Sequence, residues 1–137
     1  MPITTEAQAL AILDDPNQDA LSREAAARYL ENHPDPHIRG RLVRALQDDD
    51  EGVRWAAAEA LARLGEQALP ELLQALTDPD RVGDPRLREV AHYTLRHGYY
   101  PSVSVAALVK ALDGPTADIE TMLQANQVRQ QLDARGK

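Results

Sequence analysis

The sequence predicts an all-α fold, an α-solenoid of about three helix pairs with a capping helix at each end. Three observations predict it. A four-residue template recurs three times at nearly constant spacing, which marks a repeat architecture. The apolar residues are mostly Ala and Leu, with no Phe, and such short side chains of high helix propensity suit closely packed helices. Runs of β-branched residues, which a sheet would need, are absent. The template is Asp50, Arg54, Ala57 and Leu61; thirty-one residues earlier stand Asp19, Arg23, Ala26 and Leu30, and thirty-four later stand Asp84, Arg88, Ala91 and Leu95.

Each element follows from local chemistry. Residues 1–16 form the opening cap, with a helix over 4–13. Thr5 and Gln8 have capping-box spacing, Ala7, Leu10 and Ala11 share a face, and Pro16 ends the segment. Residues 17–48, 49–78 and 79–113 are the repeats, each a first helix, a turn and a second helix. The first helices start at Asp19, Asp50 and Asp84, whose carboxylates can take up free backbone N–H groups, worth about 1 kcal/mol each. Pro85 takes the first helical position of the third, where a missing N–H costs nothing. The Arg four residues on can reach back to its own Asp, or to an Asp closing the unit before. Ala57 and its equivalents allow close helix approach, and the Leu positions fill the space between layers.

The second helices repeat as well. Leu42, Val43 and Leu46 match Leu72, Leu73 and Leu76, then Leu108, Val109 and Leu112, and Asp48, Asp78 and Asp113 follow. Gly65 and Gly98 suit the turns of units two and three. Residues 114–137 form the closing cap, with a helix over 116–135 on which Ile119, Met122 and Leu123 make an apolar stripe before a Gln-rich, water-facing remainder. A helix pair of this size cannot bury its apolar face alone, whereas stacked pairs share one continuous core. Two irregularities fall in unit three. The link TDPDRVGDPR is four residues longer than its counterpart, and the turn HGYYPSVS is two longer. Loops carry function disproportionately, so this unit is a place to look for it.

Composition narrows the function. A chain of 137 residues is one domain's worth. The lack of Cys excludes thiol catalysis and thiolate metal sites. The start MPITTEAQAL has no signal-peptide pattern, and no apolar run approaches the roughly 20 residues of a membrane span, which points to a soluble, cytoplasmic protein. A net charge of −7 opposes a nucleic-acid partner, and Lys110 and Lys137 are the only lysines.

The string D-x-x-V-R-x-x-A-x-x-x-L at Asp50, Val53, Arg54, Ala57 and Leu61, with LPELLQAL behind it, resembles the short HEAT-like repeat of phycobilin lyases and bacterial scaffold proteins. The resemblance spans residues 19–113. The spacing falls below the roughly 40–47 residues of long HEAT and armadillo repeats, and the ankyrin and tetratricopeptide signatures are absent. Unit one departs from the pattern at Ser22, where Val53 and Leu87 are apolar, and its second helix begins irregularly after PDP. The resemblance implies a function in binding other proteins, with the second helices lining the concave face.

On those helices Arg41, Glu71 and Ala107 are equivalent, as are Arg44, Gln74 and Lys110. Arg41, Arg44, Glu71, Gln74 and Lys110 therefore form a candidate stripe for a partner protein or peptide, although ordinary solvated faces would read the same. Trp55, where the other repeats carry Glu24 and Glu89, is either an interface anchor or, the favoured reading, packed on the neighbouring unit. Tyr99 and Tyr100 serve an interface or plug the end of the stack. His33 and His37 are separated by Pro34 and Pro36, and His92 and His97 face different ways, so no metal site is expected. No catalytic, phosphate-loop or dinucleotide motif is present, so neither cofactor nor enzyme activity is expected. The expected function is a non-catalytic protein-interaction module. One alternative is a phycobilin lyase-like enzyme or subunit, which would need a tetrapyrrole cleft. A less favoured one is a nucleic-acid binder using Arg81, Arg86, Arg88 and Arg96.

Overall fold

The computed structural model describes residues 3–33, 35–114 and 117–135. Pro34, expected to break a helical His33–His37 pair, and residue 116, the expected start of the closing helix, lie outside the described residues. The described chain is helical throughout: α1 Glu6–Asp14, α2 Ala20–Leu30, α3 Pro36–Ala45, α4 Glu51–Leu64, a 3-10 turn Gly65–Ala68, α5 Leu69–Leu76, α6 Pro85–His97, α7 Ala106–Leu112 and α8 Ala117–Arg135.

The caps form where the sequence places them. Thr5 closes a full capping box with Gln8. Asp19 accepts from Ser22 N at 2.8 Å, Asp50 from Val53 N at 3.0 Å, and Asp84 from Arg86 N at 2.9 Å. Asp35 does the same for α3, with Pro36 as its first residue. Gly65 ends α4 at φ 59°, a region that other residues rarely adopt.

The first helices α2, α4 and α6 pack side by side as one layer, with α1 on α2; α3 lies against α2 and α4, and α5 packs beside α3 to continue a second layer. Ala26, Ala57 and Ala91 are fully buried along the first layer, where small side chains let the helices approach. Leu30, Leu42, Leu61, Leu72, Leu76, Leu87 and Leu108 fill the space between layers. Each fully buried leucine contributes about 1.5–3 kcal/mol. Thr94 fits this apolar interior because its hydroxyl donates to Ala58 O of the neighbouring first helix, at 3.1 Å.

The closing end departs from expectation in two ways. The second helix of unit three, α7, does not extend the second layer from α5. It packs on α6 and α8, and α8 takes the place beside α5. The long turn between α6 and α7 and the shortness of α7 leave that side of α5 open, and Arg129 of α8 donates to the Thr77 hydroxyl at 2.7 Å. The stripe Ile119–Met122–Leu123 is also not the buried face of α8. Ile119 is 65% and Leu123 54% exposed, whereas Thr121, Ala125 and Val128 are buried. That face lies on nearly the opposite side of the helix at 100° per residue. Close approach favours the small residues, and the bulkier ones are left outside.

Candidate functional site

The repeated Arg is a scaffold residue, used differently in each unit. Arg54 donates through Nη1 to the carbonyl oxygens of Asp48 at 2.8 Å and Asp49 at 3.2 Å, tying α4 to the end of the preceding unit. It therefore reaches the backbone of the preceding acids rather than a carboxylate. Arg23 donates to Leu13 O, through Nη2 at 2.8 Å and Nε at 3.2 Å, and to the carboxylate of Asp48. Asp48 closes Arg23's own unit, so this link is intra-repeat. Arg88 makes no side-chain hydrogen bond or ion pair among the described residues; it borders an open recess with Glu89, His92 and Asp113. There His92 Nε2 lies 2.8 Å from Asp113.

The candidate stripe divides into two rows. Arg41 and Glu71 point along the seams between neighbouring helices. Arg41 pairs with Asp14 at the end of α1, and Glu71 pairs with Arg39 across the α3–α5 boundary. All four side chains are at least partly covered. Arg44 and Gln74 occupy the outward row of α3 and α5: both are exposed, and neither side chain makes a hydrogen bond or ion pair among the described residues. Lys110 is equally exposed on α7, but α8 is the neighbour of α5, so Lys110 stands a helix further from Gln74 than a regular stack would place it. Gln74 instead borders a shallow recess with Pro70, Leu73, Arg129, Leu132 and Asp133, where α8 lies on α5.

The aromatic residues separate. Trp55 is half-buried and meets Tyr93 of α6 edge-on, ring centroids 5.4 Å apart at 89°. It thus packs on the neighbouring unit. Tyr93 in turn tilts against His97 at 4.4 Å. Tyr100 turns inward: its hydroxyl donates to Thr94 O at 2.9 Å, and burial raises its phenol pKa well above the ordinary value. Tyr99 turns outward and is 78% exposed, while its carbonyl accepts from Glu66 N at 3.1 Å. The turn is thus fixed through its backbone and Tyr100, and Tyr99 is presented to solvent.

The long link before α6 brings together residues that the repeat alignment does not relate. Val82 is buried beneath it. Arg81 donates through Nε to Gln47 Oε1 at 2.7 Å, and Gln47 Nε2 donates to Asp84 at 3.0 Å. Arg86 pairs with Asp49 at 3.1 Å and Asp84 at 3.3 Å. These residues, with Arg44 and Asp48, line a recess at the ends of α3 and the link. Burial lowers the pKa of Arg81; Asp78 opposes that shift and Arg44 adds to it. Arg41 is likewise lowered, by burial and then by Arg44. Gln47 lay outside the candidate stripe because its position has no periodic signature. Arg81 carried one signal, an arginine inside an irregular link, but nothing in the sequence pointed it at Arg44.

Two stacked layers with buried Ala–Leu seams, closed ion pairs along those seams and an outward polar row define an α-solenoid repeat protein. The family model for HEAT repeats matches residues 6–96, and the chain belongs to that family. No curated protein and no solved structure matches it. Among the described residues, no helix is long and apolar enough to cross a membrane.

Proposed function

We propose that this chain is a non-catalytic protein-interaction module that binds a partner protein or peptide across the outward row of its second helices. The observation that carries this reading is the contrast between the two polar rows. Arg41 and Glu71 are spent on seam ion pairs, whereas Arg44 and Gln74 are exposed and unbonded on adjacent helices of one layer. A rigid stack presents such a row at fixed spacing, so a partner does not have to order the surface on binding. HEAT repeats are an interaction fold, which supports the class of function though not a particular partner. Tyr99 offers an exposed aromatic anchor in the turn after α6.

The test is affinity capture from the lysate of the source cell at moderate salt, with wild-type protein and the double variant Arg44→Glu, Gln74→Glu. A protein retained by the wild type and lost by the variant supports the reading. Recovery of nucleic acid or of a coloured tetrapyrrole in place of a protein would overturn it.

A further inference from the structure

The recess between α3 and the long link brings three arginines together, of which only Arg86 is held in an ion pair among the described residues. Six residues line it: Arg44, Gln47, Asp48, Asp49, Arg81 and Arg86. Asp48 is already held by Arg23, and Asp49 by Arg86. Arg81 is half-buried, bonded only through Nε to a neutral amide, and has no carboxylate within ion-pair distance among the described residues. Arg44 is exposed and has no partner among them. Two like charges thus share one recess; burial disfavours the charged form of Arg81, Asp78 favours it, and Arg44 adds to the effect of burial. The Gln47 bridge to Asp84 fixes the Arg81 guanidinium before any ligand arrives.

We infer that this recess binds a carboxylate of an acidic peptide segment on the partner protein, taken between the guanidinium groups of Arg44 and Arg81. The inference rests on the interaction-module reading and specifies which surface of the partner meets which end of the row. A planar carboxylate matches the fork of an arginine, and such charge-assisted bonds are about twice as strong as neutral ones. Gln47 holds only Nε of Arg81, which leaves its terminal nitrogens unbonded among the described residues. A nucleic-acid backbone fits less well. It needs a run of free cations, and here Arg86 is paired, Asp48 and Asp49 line the same recess, and the chain as a whole carries −7.

The probe is a fluorescein-labelled hexaglutamate peptide, followed by fluorescence anisotropy at low and moderate salt, beside a labelled oligothymidylate of the same length. Arg44→Glu is the informative variant, since the Arg44 side chain makes no hydrogen bond or ion pair among the described residues. Arg96→Glu, at an exposed position of α6, is the control of equal charge change. The expected result is saturable, salt-sensitive peptide binding that falls at least tenfold in R44E, is weakened likewise in Arg81→Gln, and is kept in R96E. No peptide binding by the wild type, an equal loss in R44E and R96E, or tighter Arg44-dependent binding of the oligothymidylate would each overturn the inference. A captured partner whose retention survives R44E would remove this acidic-segment site and leave the interaction module standing on the rest of the row.

Discussion

Arg23 and Asp48 form a two-pronged ion pair, Nη1–Oδ1 at 3.0 Å, with both side chains largely covered. The same guanidinium holds Leu13 O, and Asp48 also accepts from Asp50 N at 2.9 Å while its carbonyl accepts from Arg54. One acidic residue thus joins the end of α1, the start of α2 and the start of α4. Burial alone raises the Asp48 carboxyl pKa, but the bonds from Arg23 and Asp50 and the nearby positive charges outweigh it, and the net direction is down.

The consequence for pH has a definite sign. A carboxylate whose folded pKa is depressed stabilises the fold above its unfolded pKa, about 3.9 for Asp, and that stability is lost as pH falls through the folded value. Asp48→Asn is expected to cost about 1–2 kcal/mol at neutral pH, between an exposed pair and a fully buried one. The difference between wild type and variant should shrink as pH drops below about 4. Denaturant melts over that range measure it, and a constant difference would count against the pairing.

Gly65 is expected to be intolerant of substitution. Its φ of 59° is strained for an L-residue, and a Cβ there would lie 2.7 Å from Tyr99 O, a backbone atom. Gly65→Ala should cost about 1–3 kcal/mol, read as a drop in melting temperature. A neutral substitution would show that the α4 end relaxes easily.

Trp55 reports on the α4–α6 seam because it is the only tryptophan. Trp55→Ala should destabilise by about 2 kcal/mol, less than the roughly 3–5 of a fully buried aromatic. Tyr93→Ala should shift the native Trp55 emission to longer wavelength as water replaces the ring. An unchanged spectrum would place Trp55 elsewhere.

Thr121 is buried in α8, and its hydroxyl has no hydrogen-bond partner among the described residues. Thr121→Val keeps the shape and removes the desolvated hydroxyl, so a gain of about 1 kcal/mol is expected. A loss of similar size, measured by chemical denaturation, would reveal a bond that the hydroxyl makes in solution.

The repeated elements were legible in the sequence because their causes are local. Asp19, Asp50 and Asp84 cap their helices through bonds spanning two or three residues, and the Ala and Leu periodicity fixes the buried faces. The closing end was not legible. Whether α7 or α8 lies beside α5 depends on what the long turn leaves uncovered, and hydrophobicity alone put the wrong face of α8 inward. At the candidate site, Arg44 and Gln74 could be read as outward by alignment. Arg41 and Glu71 occupy an equally regular position, yet Asp14 and Arg39 neutralise them from neighbouring helices. Such pairings connect residues whose separation in the chain follows no repeat rule.

The central claim, that the outward row of the second helices is where a partner docks, is tested most directly by site-specific photo-crosslinking in the source cell. A photoreactive amino acid is placed at position 44, at position 74, or at the exposed position 63 of α4 in the other layer. The account predicts one common protein adduct from positions 44 and 74 and none of that adduct from position 63. The same adduct from position 63 alone, or no protein adduct from 44 and 74, would contradict it.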